Sequence, residues 1–99
     1  MPKPKPLGTR ELDLITMYSN WNFAMTPRDF YNKWQVSYDQ IALICYRSDS
    51  TVRGWFKQGK NSRQPNRNDM LNLALMDFVL EHFEKIPEHL RRLLYIDDL

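Results

Sequence analysis

Basic side chains are concentrated in one segment of the chain. Residues 47–67 hold six lysines and arginines against one acidic residue, Asp49, whereas residues 1–46 hold five basic and four acidic residues and residues 68–99 hold three and seven. The positive excess therefore lies in residues 47–67. Such a stripe is typical of a surface that binds phosphate groups, although a solvated surface that happens to be basic is the alternative.

If this segment contains a helix that binds DNA, its side chains would take separate roles. Arg53 is the candidate for a bidentate contact to guanine, and Asp49 either accepts from a cytosine amino group or only stabilises the helix dipole. Gly54 would allow a close approach to the DNA backbone, because glycine otherwise costs ~1 kcal/mol in a helix interior. The base-reading candidates are Asp49, Ser50, Arg53, Gly54 and Lys57. The phosphate-binding candidates are Tyr38, Arg47, Thr51, Lys60, Arg63 and Arg67.

The residues that usually carry catalysis are few. His82 and His89 are the only histidines and Cys45 is the only cysteine, so no clustered zinc ligands or nucleophile with an evident base can be recognised. We therefore expect no enzyme, no metal and no cofactor. One cysteine fits a reducing compartment, and no apolar run approaches the ~18 residues of a membrane span. We expect a cytoplasmic, nucleoid-associated protein without a membrane partner.

Hydrophobic periodicity predicts an all-α protein, a compact helical domain of about five to six helices. Residues 1–8 contain three prolines, Lys3 and Lys5, which predicts a flexible arm. This arm either enters a DNA minor groove or is a disordered tail. Residues 9–99 are expected to form one domain: a helix-turn-helix at 37–58, a basic loop at 59–68 and C-terminal helices at 69–99.

Capping signals divide this domain. Thr9 is expected to begin the first helix, Thr26-Pro27 a second that ends near Gln35, and Ser37 with Gln40 a third that ends near Cys45. Ser48 is expected to cap a fourth helix, from Asp49 to about Gln58. A long helix is predicted from Asn68 or Asp69 to about Lys85, and Pro87 is expected to open a last one that contains Ile96.

The central helices carry a resemblance. Ile41, Ala42 and Cys45 are expected to face inward on the third helix. Val52 and Trp55 on the fourth helix are expected to face the core together with Ile44. The run I-A-x-x-C-x-R-S-x-S-T-V-x-x-W resembles the helix-turn-helix of small bacterial DNA-binding proteins and transposase-like regulators. Tyr46 stands where that pattern usually has glycine, which suggests a different turn, and Arg47 stands where it has a small aliphatic residue.

A wider resemblance covers the chain from about Met25 onward. TPRDFYNKW, YDQIALICYRS, TVRGWF and LALMDFVLEHFEKIP resemble a family of small cyanobacterial helix-turn-helix proteins. Together the two resemblances imply a helix-turn-helix fold and DNA binding. They imply no particular target.

The C-terminal third offers a second surface. Residues 70–83 contain ten apolar side chains of fourteen. Their arc spans roughly 200° of a helix, against the ~100° that one packed face needs. Leu71, Leu75, Phe78 and Val79 are therefore candidates for a dimer or partner surface, and burial under the last helix is the alternative. Trp21, Trp34 and Trp55 are expected in the core, in preference to stacking on bases.

These observations predict sequence-specific binding of double-stranded DNA, as a transcriptional regulator and as a homodimer. One alternative is an adaptor that binds a protein, such as RNA polymerase or another regulator, through the hydrophobic C-terminal helix. Another is an accessory DNA-binding subunit of a recombination system. A reused scaffold does not distinguish these functions.

Overall fold

A computed structural model describes residues 3–94, and all regular elements within this range are helical. The helices are α1 (Thr9–Ser19), α2 (Pro27–Lys33), α3 (Tyr38–Cys45), α4 (Asp49–Trp55), α5 (Arg67–His82) and α6 (Glu88–Leu93). Short 3₁₀ turns lie at Gly59–Asn61, within the expected loop, and at Phe83–Lys85 after α5. The all-α prediction is confirmed. Ile96, which was expected in the last helix, lies outside the described residues.

Side-chain caps set the beginnings of three central helices. The Thr26 hydroxyl accepts from the Asp29 amide at 3.1 Å, and Ser37 and Gln40 cap each other's amides at 3.2 and 2.8 Å. The Ser48 hydroxyl accepts from the Thr51 amide at 3.2 Å. Each of these caps satisfies an amide that has no partner within its helix, as the sequence predicts.

Several helix boundaries differ from the prediction. Helix α2 ends at Lys33 and not near Gln35, and α5 ends at His82 and not near Lys85. Helix α4 ends at Trp55 and not near Gln58, because the carbonyl of Gly54 accepts from the amide of Arg63 at 2.9 Å and thereby joins the following loop. Helix α5 begins at Arg67, one or two residues early, because Asn66 and Asp69 form a reciprocal cap.

Helix α1 departs most from expectation. Its cap is Gly8 and not Thr9, with the Glu11 carboxylate accepting from the Gly8 amide at 3.1 Å. No residue of α1 is buried, and its apolar side chains are at least half exposed. The predicted core position of Trp21 is wrong, because 54% of this residue is exposed and its ring stacks on Phe23 at 5.4 Å.

The core lies among α2, α3, α4 and α5. Each contributes one fully buried side chain: Phe30, Ile41, Val52 and Leu73 respectively. Trp55 is also buried, as predicted. A side chain this well buried contributes about 1.5–3 kcal/mol, so these contacts fix how α4 lies against the rest.

Two further buried residues complete α3's inward face. Ala42 and Cys45 are buried, as the sequence predicts. Burial raises the pKa of the Cys45 thiol to about 11, and the nearby Asp69 carboxylate adds to this rise. The thiol is therefore protonated at neutral pH and behaves as a small apolar side chain.

Helices α2 and α5 are joined at one point by polar contacts. The Lys33 ammonium lies 2.7 Å from Asp77 and 2.8 Å from Glu81, and the Trp34 indole donates to Asp77 at 3.0 Å. Burial raises the pKa of Asp77, but the hydrogen bonds from Lys33 and Trp34 outweigh it and hold that pKa below its ordinary value. Trp34 packs against the core, in line with its predicted position.

Candidate nucleic-acid interface

The connection between α3 and α4 consists of Tyr46, Arg47 and Ser48. Tyr46 adopts the left-handed conformation, with φ 56° and ψ 44°. The Arg47 amide donates to the Ala42 carbonyl at 3.0 Å, and the Tyr46 amide to the Leu43 carbonyl at 3.4 Å, which is the Schellman pattern of a helix end. The expectation of a different turn is therefore wrong. Tyrosine occupies the conformation that normally favours glycine.

Arg47 forms an ion pair with a buried carboxylate. Its Nε and Nη2 atoms donate to the two carboxylate oxygens of Asp69, at 2.8 and 3.2 Å. Asp69 is only 3% exposed, and this pairing raises the pKa of the Arg47 guanidinium. The Arg47 side chain is 39% exposed, so its phosphate contact remains a prediction. In the free protein, this arginine forms an ion pair that ties the turn to α5.

The N-terminal turn of α4 carries paired charges. Arg53 Nε donates to Asp49, and this hydrogen bond lowers the pKa of the Asp49 carboxyl. Asp39 on α3 lies beside Asp49, and the hydrogen bond between the two carboxyls raises the pKa of Asp39. Two of the five predicted base readers, Asp49 and Arg53, are thus brought together, and 60% of the Arg53 side chain is exposed.

Gly54 is covered by protein, contrary to the prediction that it lets the DNA backbone approach. Gly54 is buried, and a Cβ atom built on it would lie 2.9 Å from both Cγ and Cδ of Arg63. The Arg63 side chain therefore crosses α4 directly over this residue. Gly54 does permit a close approach, but the group that approaches it is the Arg63 side chain from the protein's own loop.

A basic pocket lies between the end of α4 and the 3₁₀ turn. Its volume is about 350 Å³. It is lined by Ser50, Gly54, Lys57, Lys60, Asn61, Ser62 and Arg63. None of these residues is acidic, and the ion pairs found within residues 3–94 do not involve its three cations. Arg63 Nη1 donates to the Thr51 hydroxyl at 3.4 Å.

The basic pocket gathers residues that the sequence had assigned to two sets. Ser50 and Lys57 were expected to read bases, and Lys60 and Arg63 to bind phosphates. Asn61 and Ser62 were missed, because no cap or periodic pattern marks them. Their position between Lys60 and Arg63 was the only available signal.

Two predicted phosphate ligands lie elsewhere. The Tyr38 ring stacks on Phe56 at 4.6 Å, so much of its surface is used in packing. Arg67 lines a small depression with Trp21 and Leu71, at the start of α5. Neither borders the basic pocket, and their phosphate contacts remain predictions.

Helices α5 and α6 enclose an apolar groove of about 640 Å³. Of the four predicted partner-surface residues, Leu75, Phe78 and Val79 line it on α5, whereas Leu71 does not. The remaining lining residues are Lys85, Ile86, Pro87, Leu90, Leu93 and Leu94. Leu75 and Phe78 are about half exposed, so α6 does not bury them.

Neither a cluster of metal-binding side chains nor a membrane-spanning helix is found in the described range. Residues 3–94 contain no group of three or more His, Cys, Asp or Glu side chains placed to hold a metal ion. No helix in the same range is long and apolar enough to cross a membrane.

Comparison with protein-family models, curated proteins and solved structures finds no match to this chain. The resemblance to small bacterial helix-turn-helix proteins therefore remains a prediction. It rests on the residues that carry it.

Proposed function

We propose that this protein binds double-stranded DNA, with α3, the turn and α4 acting as a helix-turn-helix. The observation that carries the proposal is the basic pocket, where Lys57, Lys60 and Arg63 converge without an acidic neighbour. Unpaired cations on a concave surface attract a polyanion, and each phosphate that they neutralise releases counterions.

The fold supports α4 as the recognition element. Val52 and Trp55 hold one side of α4 in the core, which leaves the side that carries Ser50 and Arg53 exposed. A helix anchored in this way can enter the major groove, which admits an α-helix. The Arg47–Asp69 ion pair then keeps the turn fixed to α5 while α4 contacts DNA.

Sequence preference is assigned to Arg53. In the free protein its guanidinium is paired with Asp49, but both groups are exposed enough to exchange partners. Arg53 then donates to guanine, while Asp49 orients it or accepts from a cytosine amino group. We propose that this recognition regulates transcription, in the cytoplasm and on the nucleoid.

Selection of bound duplexes from a random pool tests this proposal. The native chain is expected to enrich a short motif that contains guanine, and Arg53→Ala is expected to lose the preference at that base, worth about 1–3 kcal/mol. Arg10→Ala on α1 is the matched control, because it removes the same charge and is expected to leave the motif intact. A pool that shows no enrichment with the native chain contradicts sequence-specific binding.

A second copy of the chain is proposed to cover the apolar groove. An exposed face that includes Leu75, Phe78 and Leu90 is typical of an interaction surface. Two-fold pairing would place two α4 helices on neighbouring half-sites. Sedimentation at micromolar concentration is expected to show a dimer, and Leu90→Glu a monomer with unchanged helicity. A native chain that is monomeric both free and on DNA contradicts this arrangement.

The same groove favours a protein adaptor as the second candidate function. An amphipathic helix of RNA polymerase or of another regulator would insert apolar side chains between α5 and α6. The two functions differ in what Leu90→Glu removes. An adaptor that carries Leu90→Glu loses its protein partner, and it binds no DNA with or without the substitution. A DNA reader that carries Leu90→Glu retains affinity for a single half-site.

A further inference from the structure

We propose that the basic pocket is a built cradle for one phosphate group, supplied by the DNA backbone beside the groove that α4 enters. This inference rests on the proposed function and deepens it. It changes the roles of Ser50 and Lys57, which become phosphate ligands together with Lys60 and Arg63. Base reading is then left to Arg53 and Asp49.

The first support is that the loop is docked on α4. The Arg63 amide donates to the Gly54 carbonyl at 2.9 Å, and the Arg63 side chain continues across the glycine. Any larger residue at position 54 would collide with Cγ and Cδ of Arg63, both 2.9 Å from a Cβ. The absence of a side chain at Gly54 therefore allows Arg63 to pack against α4.

The second support is the shape of the 3₁₀ turn. Gly59 has φ +81°, a conformation that L side chains rarely adopt, and no atom lies within 4 Å of a Cβ built there. The glycine is therefore needed for its backbone and not for space. This backbone directs the chain from Lys57 back toward α4, so that Lys60 and Arg63 border the same pocket.

The third support is the match between the donors and a phosphate. The two ammonium groups offer strong point charges, and the guanidinium and the Ser50 hydroxyl offer hydrogen bonds to separate oxygens. Asn61 and Ser62, which also line the pocket, add neutral donors. A backbone phosphate carries no base identity, so this contact fixes the depth and angle of α4 without contributing sequence information.

Gly54→Ala is the most specific test, because it changes the shape of the cradle and leaves the net charge unchanged. We expect it to weaken binding of the chain to a random-sequence duplex about tenfold, through displacement of Arg63. A diffuse basic patch would bind as before. Circular dichroism and thermal melting establish that the variant is folded.

Lys60→Gln provides a second readout, in case Gly54→Ala does not fold. It is expected to reduce the slope of log affinity against log salt by about one, as for the loss of one phosphate contact. Arg10→Gln is the matched control, since it removes one positive charge from the exposed face of α1 and should leave the slope unchanged. Equal slopes for the native chain, Lys60→Gln and Arg10→Gln overturn the cradle.

Titration with inorganic phosphate separates the cradle from the proposed function. In ¹H–¹⁵N spectra of the native chain, the amides of Ser50, Asn61 and Arg63 are expected to shift, and Lys60→Gln is expected to abolish these shifts. Shifts without duplex binding contradict DNA as the source of the phosphate and overturn the proposed function as well. Duplex binding without these shifts, and with unchanged affinity in Gly54→Ala, overturns the cradle alone.

Discussion

At the scale of single residues, the backbone of Tyr46 is strained. A left-handed conformation costs a residue with a Cβ about 1–2 kcal/mol, and 89% of Tyr46 is exposed, so packing provides little compensation. Tyr46→Gly is therefore expected to stabilise the fold by about 0.5–1 kcal/mol, once glycine's greater freedom in the unfolded chain is subtracted. Urea unfolding measures the change.

Tyr46→Ala is the control for the exposed ring. Alanine retains the backbone strain and removes the aromatic group. The free energy of unfolding of Tyr46→Ala should therefore stay close to that of the native chain. If alanine stabilises as much as glycine does, the ring and not the backbone is the cause. If duplex binding is lost in both variants, the strained tyrosine contacts DNA.

Arg47 provides a second test at this scale. Arg47→Met would leave the carboxylate of Asp69 buried without its cation, which is a large penalty in a low-dielectric interior. We expect the melting temperature to fall by roughly 10 °C. Arg53→Met breaks an exposed pair and should change it by less than about 3 °C. An equal fall in melting temperature for the two substitutions would show that the Arg47–Asp69 ion pair stabilises the fold no more than the exposed Asp49–Arg53 pair does.

Asp39 links the charge of the site to pH. Its pKa is raised, chiefly by the hydrogen bond with Asp49, so protonation stabilises the folded state and this contribution is lost as the pH rises through that pKa. With both carboxyls ionised, Asp49 Oδ1 is buried without a donor among the described residues, and protonated Asp39 can supply one.

The same titration removes a negative charge beside α4. Duplex affinity at low salt is therefore expected to rise roughly twofold as the pH falls through the raised pKa of Asp39. Asn at this position imitates the neutral form, so Asp39→Asn should bind more tightly at neutral pH and lose this response. Fluorescence anisotropy across a pH series measures both. A response retained in Asp39→Asn assigns it to another group.

At the scale of elements, α1 is the least integrated helix. It buries no residue, and so contributes little of the apolar burial that stabilises the core. Deleting residues 1–20 is expected to change the melting temperature by less than about 3 °C. A large loss of stability would mean that α1 packs on the core, or on a second copy, in solution.

Elements governed by local chemistry could be predicted from sequence. Thr26, Ser37 and Ser48 each hold an amide within one helical turn, so three helix starts follow from spacing alone. The inward positions of Val52 and Trp55 follow from helical periodicity in the same way.

Features that depend on distant residues could not be predicted. Arg47 meets Asp69 and Gly54 meets Arg63 across the fold, and no local pattern records either contact. For the same reason, the spacing that predicts α1 does not show whether its apolar side chains are covered, and within residues 3–94 they are at least half exposed. The basic excess predicted where the candidate site lies, but the proposed division of its residues into base and phosphate ligands required the geometry of the loop.

At the scale of the whole molecule, charge and apolar surface are separated. The basic pocket lies beside α4, whereas the apolar groove lies between α5 and α6, in the part of the chain richest in acidic residues. One surface is thus suited to a polyanion and the other to an apolar partner. This separation underlies the proposal that DNA and a second copy bind at different sites.

The most direct test of the central claim is the salt dependence of duplex binding by the native chain and by Lys57→Gln/Lys60→Gln/Arg63→Gln. Binding by the native chain is predicted to fall steeply as salt increases, and the triple variant is predicted to lose about three units of slope. A native chain that does not bind duplex DNA at low salt, or a triple variant with an unchanged slope, would contradict the account.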